Sequence, residues 1–275
     1  DGSADAVNTV SNNLIYKVNG NGAVYGLANT GSDYAWYFHN TVSLDEISST
    51  STAVTRGFYQ TTTAGGLFFY NNLISITRGG NGSKHCIYLN ATLPAGADHN
   101  NYYIKAAGGT NSVGYYTSNR TDITDWRAAT NRDANSITAI PAYTDPANGN
   151  YTPGNAGIDN KGIALGIVAD DILGVPRSAT TPDVGAYEFT PPPCSTPPVN
   201  GQTLVSADTI CQNSLVYLSM NIGAFGSAQT FQWEVAPAEA GPFTALGSPM
   251  LTPDTTILAD TTVYFRVAIS CGSTT

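Results

Sequence analysis

Charged residues are scarce in this chain of 275 residues. They make up 11% of it, with 11 Lys and Arg against 20 Asp and Glu, for a formal net charge of −9. The basic residues form no cluster, whereas a nucleic-acid or anionic-membrane partner requires a basic surface. We therefore expect neither partner.

Long apolar runs are also lacking. No run approaches the roughly 18 residues that a membrane helix needs, and no signal peptide is recognisable, so we expect no membrane span. The chain starts at Asp1 and stops soon after a strand-like run. We expect it to be a piece of a larger secreted protein, in which further domains of the same long chain are its neighbours.

Small polar residues and tyrosine are abundant instead, with 28 Gly and 16 Tyr. Gly, Asn and Ser favour turns, and Thr and Tyr suit half-exposed strands. The composition therefore predicts an all-β extracellular protein. Its length allows two domains, each with its own core.

A loose repeat runs through the first hundred residues. The segment NNLIYKV returns about 60 residues later as NNLISIT, and Asn13, Asn40, Asn72 and Asn101 suggest a half-step of 27, 32 and 29 residues. Strand repeats of this size are typical of a parallel β-helix whose coils stack about 4.8 Å apart. An antiparallel sandwich with Asn-rich turns is the alternative.

The repeat also predicts which side chains fill the lumen and which form the corners. The recurring Asn can adopt left-handed backbone and bond to the Asn of the next coil. His39 and His99 precede such positions, and we interpret them as corner residues rather than as zinc ligands. The lumen residues are predicted to be Leu14, Val42, Leu44, Leu73 and Ile87, with Cys86 as a further small apolar one.

The pattern changes at Asp122. Asp122 is a candidate N-cap, and Ile123, Trp126 and Ala129 recur at helical spacing, so we predict one short amphipathic helix. An open lumen and an unpaired strand edge at the last coil need a cover. We expect this helix to cap the solenoid, with Trp126 as the plug.

The segments that follow resemble a known family. DITDWRAATNRDANSI, PAYTDPANGNY, DDILGVPR and PDVGAYEF are similar to the C-terminal end of secreted right-handed parallel β-helix proteins of the pectin-lyase-like superfamily. The resemblance covers about residues 120–189 and implies a right-handed β-helix over residues 1–189, with this part as its cap. It implies export but not catalysis, because the superfamily includes enzymes, tailspikes and adhesin modules.

A Pro-rich linker is predicted at residues 190–202. Residues 203–275 resemble an immunoglobulin-like β-sandwich, truncated at its C-terminus, of the kind repeated in large surface adhesins of gliding, type IX-secreting bacteria. Trp233 and Tyr264 are similar to the core Trp and the tyrosine corner of such sandwiches. A disulfide between Cys211 and Cys271 is the candidate bridge, which would fit an oxidising compartment. Cys194 is left without an evident partner.

Two groups of residues are candidates for a catalytic or metal-binding role. Lys84 with His85 could serve a lyase, but few carboxylates lie near them in the sequence. The densest charged set lies in the cap, where irregular backbone needs satisfied polar groups, and we interpret it as structural. Carboxylates can hold Ca²⁺, but the spacing is not that of an EF-hand, so neither a metal nor a cofactor is predicted. The set comprises Asp170, Asp171, Arg177, Asp183 and Glu188.

Exposed aromatic residues are candidate carbohydrate contacts, because sugar rings stack on aromatic faces. We select Tyr34, Trp36, Tyr102 and Tyr103. The function predicted is a non-enzymatic structural and adhesive module of a large secreted bacterial surface protein or appendage. A polysaccharide lyase or glycoside hydrolase and a carbohydrate-binding module are the alternatives, and a polysaccharide, a cell-surface ligand and a second copy of the chain are the partners left open.

Overall fold

The computed structural model describes residues 1–198, 201–205, 209–221 and 225–272. The chain divides into two compact units. The first comprises residues 1–141 and 158–189, and the second comprises residues 142–157 and 190–275. Residues 142–157, which the sequence interpretation assigns to the cap, therefore group with the second unit.

The first unit is a parallel β-solenoid of four coils, each with three strands, as predicted. The first sheet consists of β1 (Asn8–Ser11), β4 (Ala35–Phe38), β7 (Phe68–Tyr70) and β10 (Gly96–Asp98). The second consists of β2 (Leu14–Ile15), β5 (Thr41–Leu44), β8 (Leu73–Ile76) and β11 (Asn101–Ile104). The third consists of β3 (Val24–Asn29), β6 (Thr55–Gln60), β9 (Lys84–Leu89) and β12 (Asn111–Tyr116).

Side chains alternate between the lumen and the outer wall. Val42, Leu44 and Ile87 are fully buried in the lumen core, as predicted. Cys86 is fully buried in the same cluster, as predicted, although it is adjacent to Ile87, so the alternation is interrupted at this point of β9. The second and third sheets approach closely, since a Cβ on Gly57 would lie 2.2 Å from a methyl group of Ile74. A larger residue at that point would force the sheets apart.

Leu14 and Leu73 do not point into the lumen, and their predicted placement was wrong. Leu73 pairs with Thr41, and Leu14 pairs with Thr41 from the other side, so all three share the outer face of the second sheet. Their neighbours Ile15 and Ile74 pack in the lumen instead. A shift of one residue reverses the face of a strand residue, and the repeat alone does not fix that register.

A ladder of side-chain amides runs along the corner between the first and second sheets. Asn13 Nδ2 donates to Asn40 Oδ1 (2.8 Å), Asn40 Nδ2 to Asn72 Oδ1 (2.9 Å) and Asn72 Nδ2 to Asn100 Oδ1 (3.2 Å). The predicted fourth member, Asn101, was wrong by one residue. Its side chain bonds the backbone of Ala139 instead.

The ladder ends on a carboxylate that the sequence interpretation missed. Asn100 Nδ2 donates to Asp133 Oδ1 (3.0 Å), which also accepts from Ser136 Oγ, and Trp126 Nε1 donates to Asp133 Oδ2 (2.7 Å). Asp133 is 1% exposed. The last amide of the ladder has N–H groups with no further coil to accept their hydrogen bonds. An ionised carboxylate only accepts hydrogen bonds, so it satisfies them.

Residues 118–139 cover the last coil. β13 (Ser118–Arg120) pairs antiparallel with β12, and Ile137 bonds to the edge of β11. Between them, helix α1 (Ile123–Thr130) begins at the predicted N-cap, whose carboxylate accepts from Asp125 N (2.8 Å). Trp126 is 1% exposed and packs in the lumen core, which is the position that a plug would occupy.

Residues 158–189, which we call the strap, lie elsewhere. They run over the corner beside the ladder and over the outer face of the second sheet. Ala186 N donates to Thr41 Oγ1 (2.8 Å), and Gly185 N donates to Asn71 O (2.7 Å). The prediction that this part of the cap closes the lumen was therefore wrong, because it covers a side wall rather than the end.

The second unit contains two antiparallel sheets of three strands. One has β15 (Ser214–Asn221) between β14 (Gln202–Val205) and β18 (Thr255–Ala259). The other has β16 (Gln229–Ala236) between β17 (Thr244–Ala245) and β19 (Tyr264–Cys271). A 3-10 turn (Pro146–Asn148) belongs to the same unit. Trp233 is buried in its core, while Tyr264 is 41% exposed and lies outside that core.

The cysteine pairing differs from the prediction. Cys271 forms its disulfide with Cys194, with Cα atoms 5.6 Å apart, while Cys211 is a free, exposed thiol. The sequence places Cys211 and Cys271 beside two strands of one domain, but it does not show that the linker returns to the end of β19. The bridge therefore closes a loop over a sequence separation of 77.

We expect Asp133→Asn to destabilise the first unit by about 2–3 kcal/mol, because an amide NH₂ would face donors that now bond to a carboxylate. Urea unfolding curves measure the change. The control is Asp125→Asn, since the Asp125 side chain is 38% exposed in its ion pair with Arg120. Equal small effects from both substitutions would contradict the assignment of Asp133 as the ladder terminus.

Candidate binding surface

Lys84 and His85 are adjacent in β9 and therefore face opposite sides of the third sheet. Lys84 pairs with Thr55, and His85 pairs with Arg56 on the outer face. A base and its partner must lie within hydrogen-bond reach of one reacting group. The structure does not bring these two side chains together.

Lys84 is held in a cage of backbone oxygens. Its Nζ donates to Gly80 O (2.6 Å), Gly82 O (3.2 Å) and Gly108 O (2.9 Å), and the residue is 1% exposed. Burial, and then the charge of Arg78, lower the pKa of Lys84. All three donors of the ammonium are occupied, so this lysine joins the corner loops of two coils and is not open to a substrate.

The outer wall of the third sheet carries a ladder of rings. Tyr25 stacks on Tyr59 with centroids 4.8 Å apart, Tyr59 meets Tyr88 edge to face at 5.6 Å, and Tyr88 stacks on Tyr115 at 4.2 Å. The last three align in register across β6, β9 and β12. We call these four rings, together with Arg56 and His85, the tyrosine–arginine wall.

Arg56 is the only charged member of this wall. Its guanidinium lies 3.5 Å from the ring centroid of Tyr88 and 4.2 Å from that of Tyr59. Its Nε is buried without a hydrogen-bond partner. None of the ion pairs within the described residues involves Arg56, and β3, β6, β9 and β12 contain no Asp or Glu.

His85 lies beneath the rings, 2% exposed, with Nε2 2.9 Å from Asn119 Oδ1. Burial first, and the charge of Arg56 in addition, lower its pKa, while the bond to Asn119 opposes the shift. The imidazole is therefore neutral at pH 7. Arg56 is left as the local positive charge on a wall of hydroxyl groups and ring edges.

A second aromatic surface lies on the outer face of the first sheet. Trp36 meets Phe68 edge to face at 5.5 Å, and Phe38 meets Tyr70 in the same way at 6.2 Å. These four rings include one phenol, so this surface offers mainly apolar area. Aromatic rings packed in this way are more typical of side chains that stabilise a sheet than of a site that recognises a polar ligand.

Of the predicted carbohydrate contacts, only two are accessible. Trp36 lies on the outer face of the first sheet, and Tyr34 lies at its edge with a left-handed φ of 51°. Tyr102 and Tyr103 are 0% and 8% exposed, so their selection was wrong. The wall could have been found from the register, since Tyr59, Tyr88 and Tyr115 recur at spacings close to one coil.

Four of the five charged side chains selected in the strap bond to the strap itself, while the side chain of Asp170 is exposed. Asp171 accepts from the backbone N of Leu173 and Val175 (2.7 and 2.8 Å), and Arg177 pairs with Glu188 (3.4 Å). Asp183 accepts from Phe189 N (2.7 Å), and burial raises its pKa to about 7. Asp170 contributes its backbone carbonyl, which accepts from Asn12 Nδ2.

His39 and His99 are corner residues, as predicted, and both have left-handed backbone, with φ of 53° and 54°. His39 Nε2 lies 2.9 Å from Asn71 Nδ2, and His99 Nδ1 lies 2.8 Å from Lys161 O. Each ring is thus engaged by its neighbours on the corner. Among the described residues, no group of three or more His, Cys, Asp or Glu could hold a metal ion.

Comparison with protein-family models, curated proteins and solved structures gave no match. Within the described part of the chain, no helix is both long enough and apolar enough to cross a membrane.

We expect Lys84→Met to lower the free energy of unfolding by about 2–4 kcal/mol, because three buried carbonyls lose their donor. The measurement is urea unfolding, with Lys161→Met as the control because Lys161 is exposed. A polysaccharide-cleaving activity that Lys84→Met abolishes while stability is unchanged would restore the catalytic alternative.

The pH dependence of stability should contain a contribution from His39. Burial, and then the charge of Arg177, lower its pKa to about 3, against about 6.5 in an unfolded chain. Between these values the unfolded state binds a proton that the folded state excludes, so this contribution is lost as pH falls from 6.5 towards 3. Asp183 has the opposite effect on stability over much of the same range. Its pKa is raised to about 7 by burial, so the folded state binds a proton more readily than the unfolded state, and its contribution to stability increases as pH falls.

His39→Asn isolates the histidine contribution, because Asn occupies the same corner in the first and third coils. The stability of the variant relative to that of the unsubstituted protein should rise by about 3 kcal/mol between pH 7 and pH 4. Urea unfolding at several pH values measures this difference. Two curves that stay parallel over that range would show that His39 does not titrate on unfolding.

Proposed function

We propose that this chain is a non-enzymatic structural and adhesive module of a larger secreted bacterial surface protein. The solenoid supplies a stiff support, since every coil bonds to the next through three parallel sheets. The disulfide fits an oxidising compartment, which supports an extracellular or cell-surface location. The resemblance of the strap region to secreted right-handed β-helix proteins of the pectin-lyase-like superfamily supports the same assignment.

For the second unit we infer an immunoglobulin-like sandwich that spaces the solenoid from further domains. Two three-stranded antiparallel sheets support this inference, as does Trp233, which is buried and donates through Nε1 to Pro253 O (2.7 Å). The exposed Tyr264 departs from the tyrosine corner of such domains.

The observation that carries the adhesive proposal is the tyrosine–arginine wall. It joins phenol hydroxyls, ring edges and one guanidinium without an acidic partner on a flat face built by four coils. Surfaces of this kind bind polyhydroxylated ligands, because rings supply apolar contact and hydroxyls supply hydrogen bonds. We propose a polysaccharide as the ligand, with Arg56 favouring an anionic one.

Turnover is the weaker alternative. The lysine that a lyase would use is enclosed by three carbonyls, and the histidine beside it lies under the rings. The same wall would serve a carbohydrate-binding module, so that alternative shares the site and differs only in the role of the whole protein.

The test is a binding assay of the purified chain on immobilised acidic and neutral polysaccharides, with a parallel assay for cleavage products. Arg56→Met should weaken binding at least tenfold, because the one cation of the wall is removed. Tyr70→Ala, on the other aromatic surface, is the matched control. Cleavage products would favour the enzyme, and the absence of binding to every polymer would refute the adhesive role of the wall.

A further inference from the structure

The strap contacts the corner residue of the coils one after another. Four corner residues precede the members of the amide ladder, and all have φ between 53° and 58°. They are Asn12, His39, Asn71 and His99. Their side chains leave the corner on the side where the strap lies, so this row provides one attachment point in each coil.

The strap begins at the last coil. His99 Nδ1 lies 2.8 Å from Lys161 O. In the third coil, Ile163 N donates to Asn71 Oδ1 (2.9 Å), and Asn71 Nδ2 donates to Ile163 O (2.7 Å). A side-chain amide that exchanges two hydrogen bonds with one backbone residue fixes the position of both.

The tip of the strap reaches the first coil. Asn12 Nδ2 donates to Asp170 O (2.8 Å), and Arg177 Nη2 donates to Asn12 Oδ1 (2.8 Å). These bonds join residues 158 and 165 positions apart in the sequence. The strap then returns to the second and third coils through Ala186 and Gly185.

Hydrogen bonds within the strap hold its two arms together. Glu188 Oε1 accepts from Ser178 N (2.9 Å), and its Oε2 accepts from Asp183 N (3.0 Å). Asp171 Oδ2 accepts from Glu188 N (2.9 Å), which links the two arms of the strap. Arg177 also donates to Gly185 O (3.1 Å), and its side chain is 3% exposed.

We propose that the strap is a tie that couples the first coil to the last, so that the four coils open together. Among the described strands, those of the first coil have a partner on one side only, and an element with fewer bonds opens at a lower free energy. The bonds of Asn12 to the strap tip offset this deficit. The proposal concerns the cooperativity of the solenoid and does not depend on a ligand.

Hydrogen exchange measured by mass spectrometry on the full chain tests the tie. Asn12→Gly removes both tip contacts and keeps the left-handed backbone, which alanine would strain, while every bond inside the strap is kept. Exchange in residues 8–15 should rise at least tenfold, while exchange in the strap and in residues 123–139 stays unchanged. Arg177→Met should give the same rise in residues 8–15, together with faster exchange inside the strap.

The control is Arg120→Met, which breaks an ion pair with Asp125 (3.2 Å) at the opposite end of the solenoid. It should leave exchange in residues 8–15 unchanged. The proposal would be overturned if Asn12→Gly left the first coil as protected as before, or if it accelerated exchange equally in all four coils. Either result would show that the strap covers the wall without coupling the coils.

Discussion

The amide ladder fixes the register on which the rest of the solenoid depends. Each carboxamide is both a donor and an acceptor, so Asn40 accepts from one coil and donates to the next without leaving a buried polar atom unpaired. Slippage of the second coil by one residue would place His39 or Thr41 where Asn40 lies and break the row. The ladder therefore aligns the lumen residues, the corners and the outer walls together.

Two consequences of that alignment explain the distribution of polar residues. The residue before each ladder Asn takes the left-handed conformation that turns the chain, and Asn and His occupy these positions because they tolerate it. Their side chains remain free to bond outward, which gives the strap its contacts. At the last coil, Asp133 accepts hydrogen bonds both from Asn100, the last member of the ladder, and from Trp126, so it links the ladder to the capping helix.

The sequence was informative where a pattern repeats and less so where the chain makes a single long-range contact. The four-coil solenoid, the helix cap and the corner role of His39 follow from spacing, because a stacked coil forces equivalent residues into line. The faces of Leu14 and Leu73 do not follow, since a strand period of two leaves the side undecided until the register is known. The partner of Cys271 and the path of the strap depend on chain reversals that leave no periodic signal.

The outer walls of the three sheets differ in the groups that they present to a ligand. The second wall is covered by the strap, and the first presents mainly apolar rings. The third holds Arg56 among four tyrosines, and its guanidinium has no carboxylate to neutralise it within the described residues. The net charge of −9 makes the chain as a whole repel anions. Arg56 is a locally positive position on this otherwise acidic protein. Lys84 and Arg78 are enclosed by backbone and side-chain oxygens, so neither adds a second positive charge that a ligand could reach.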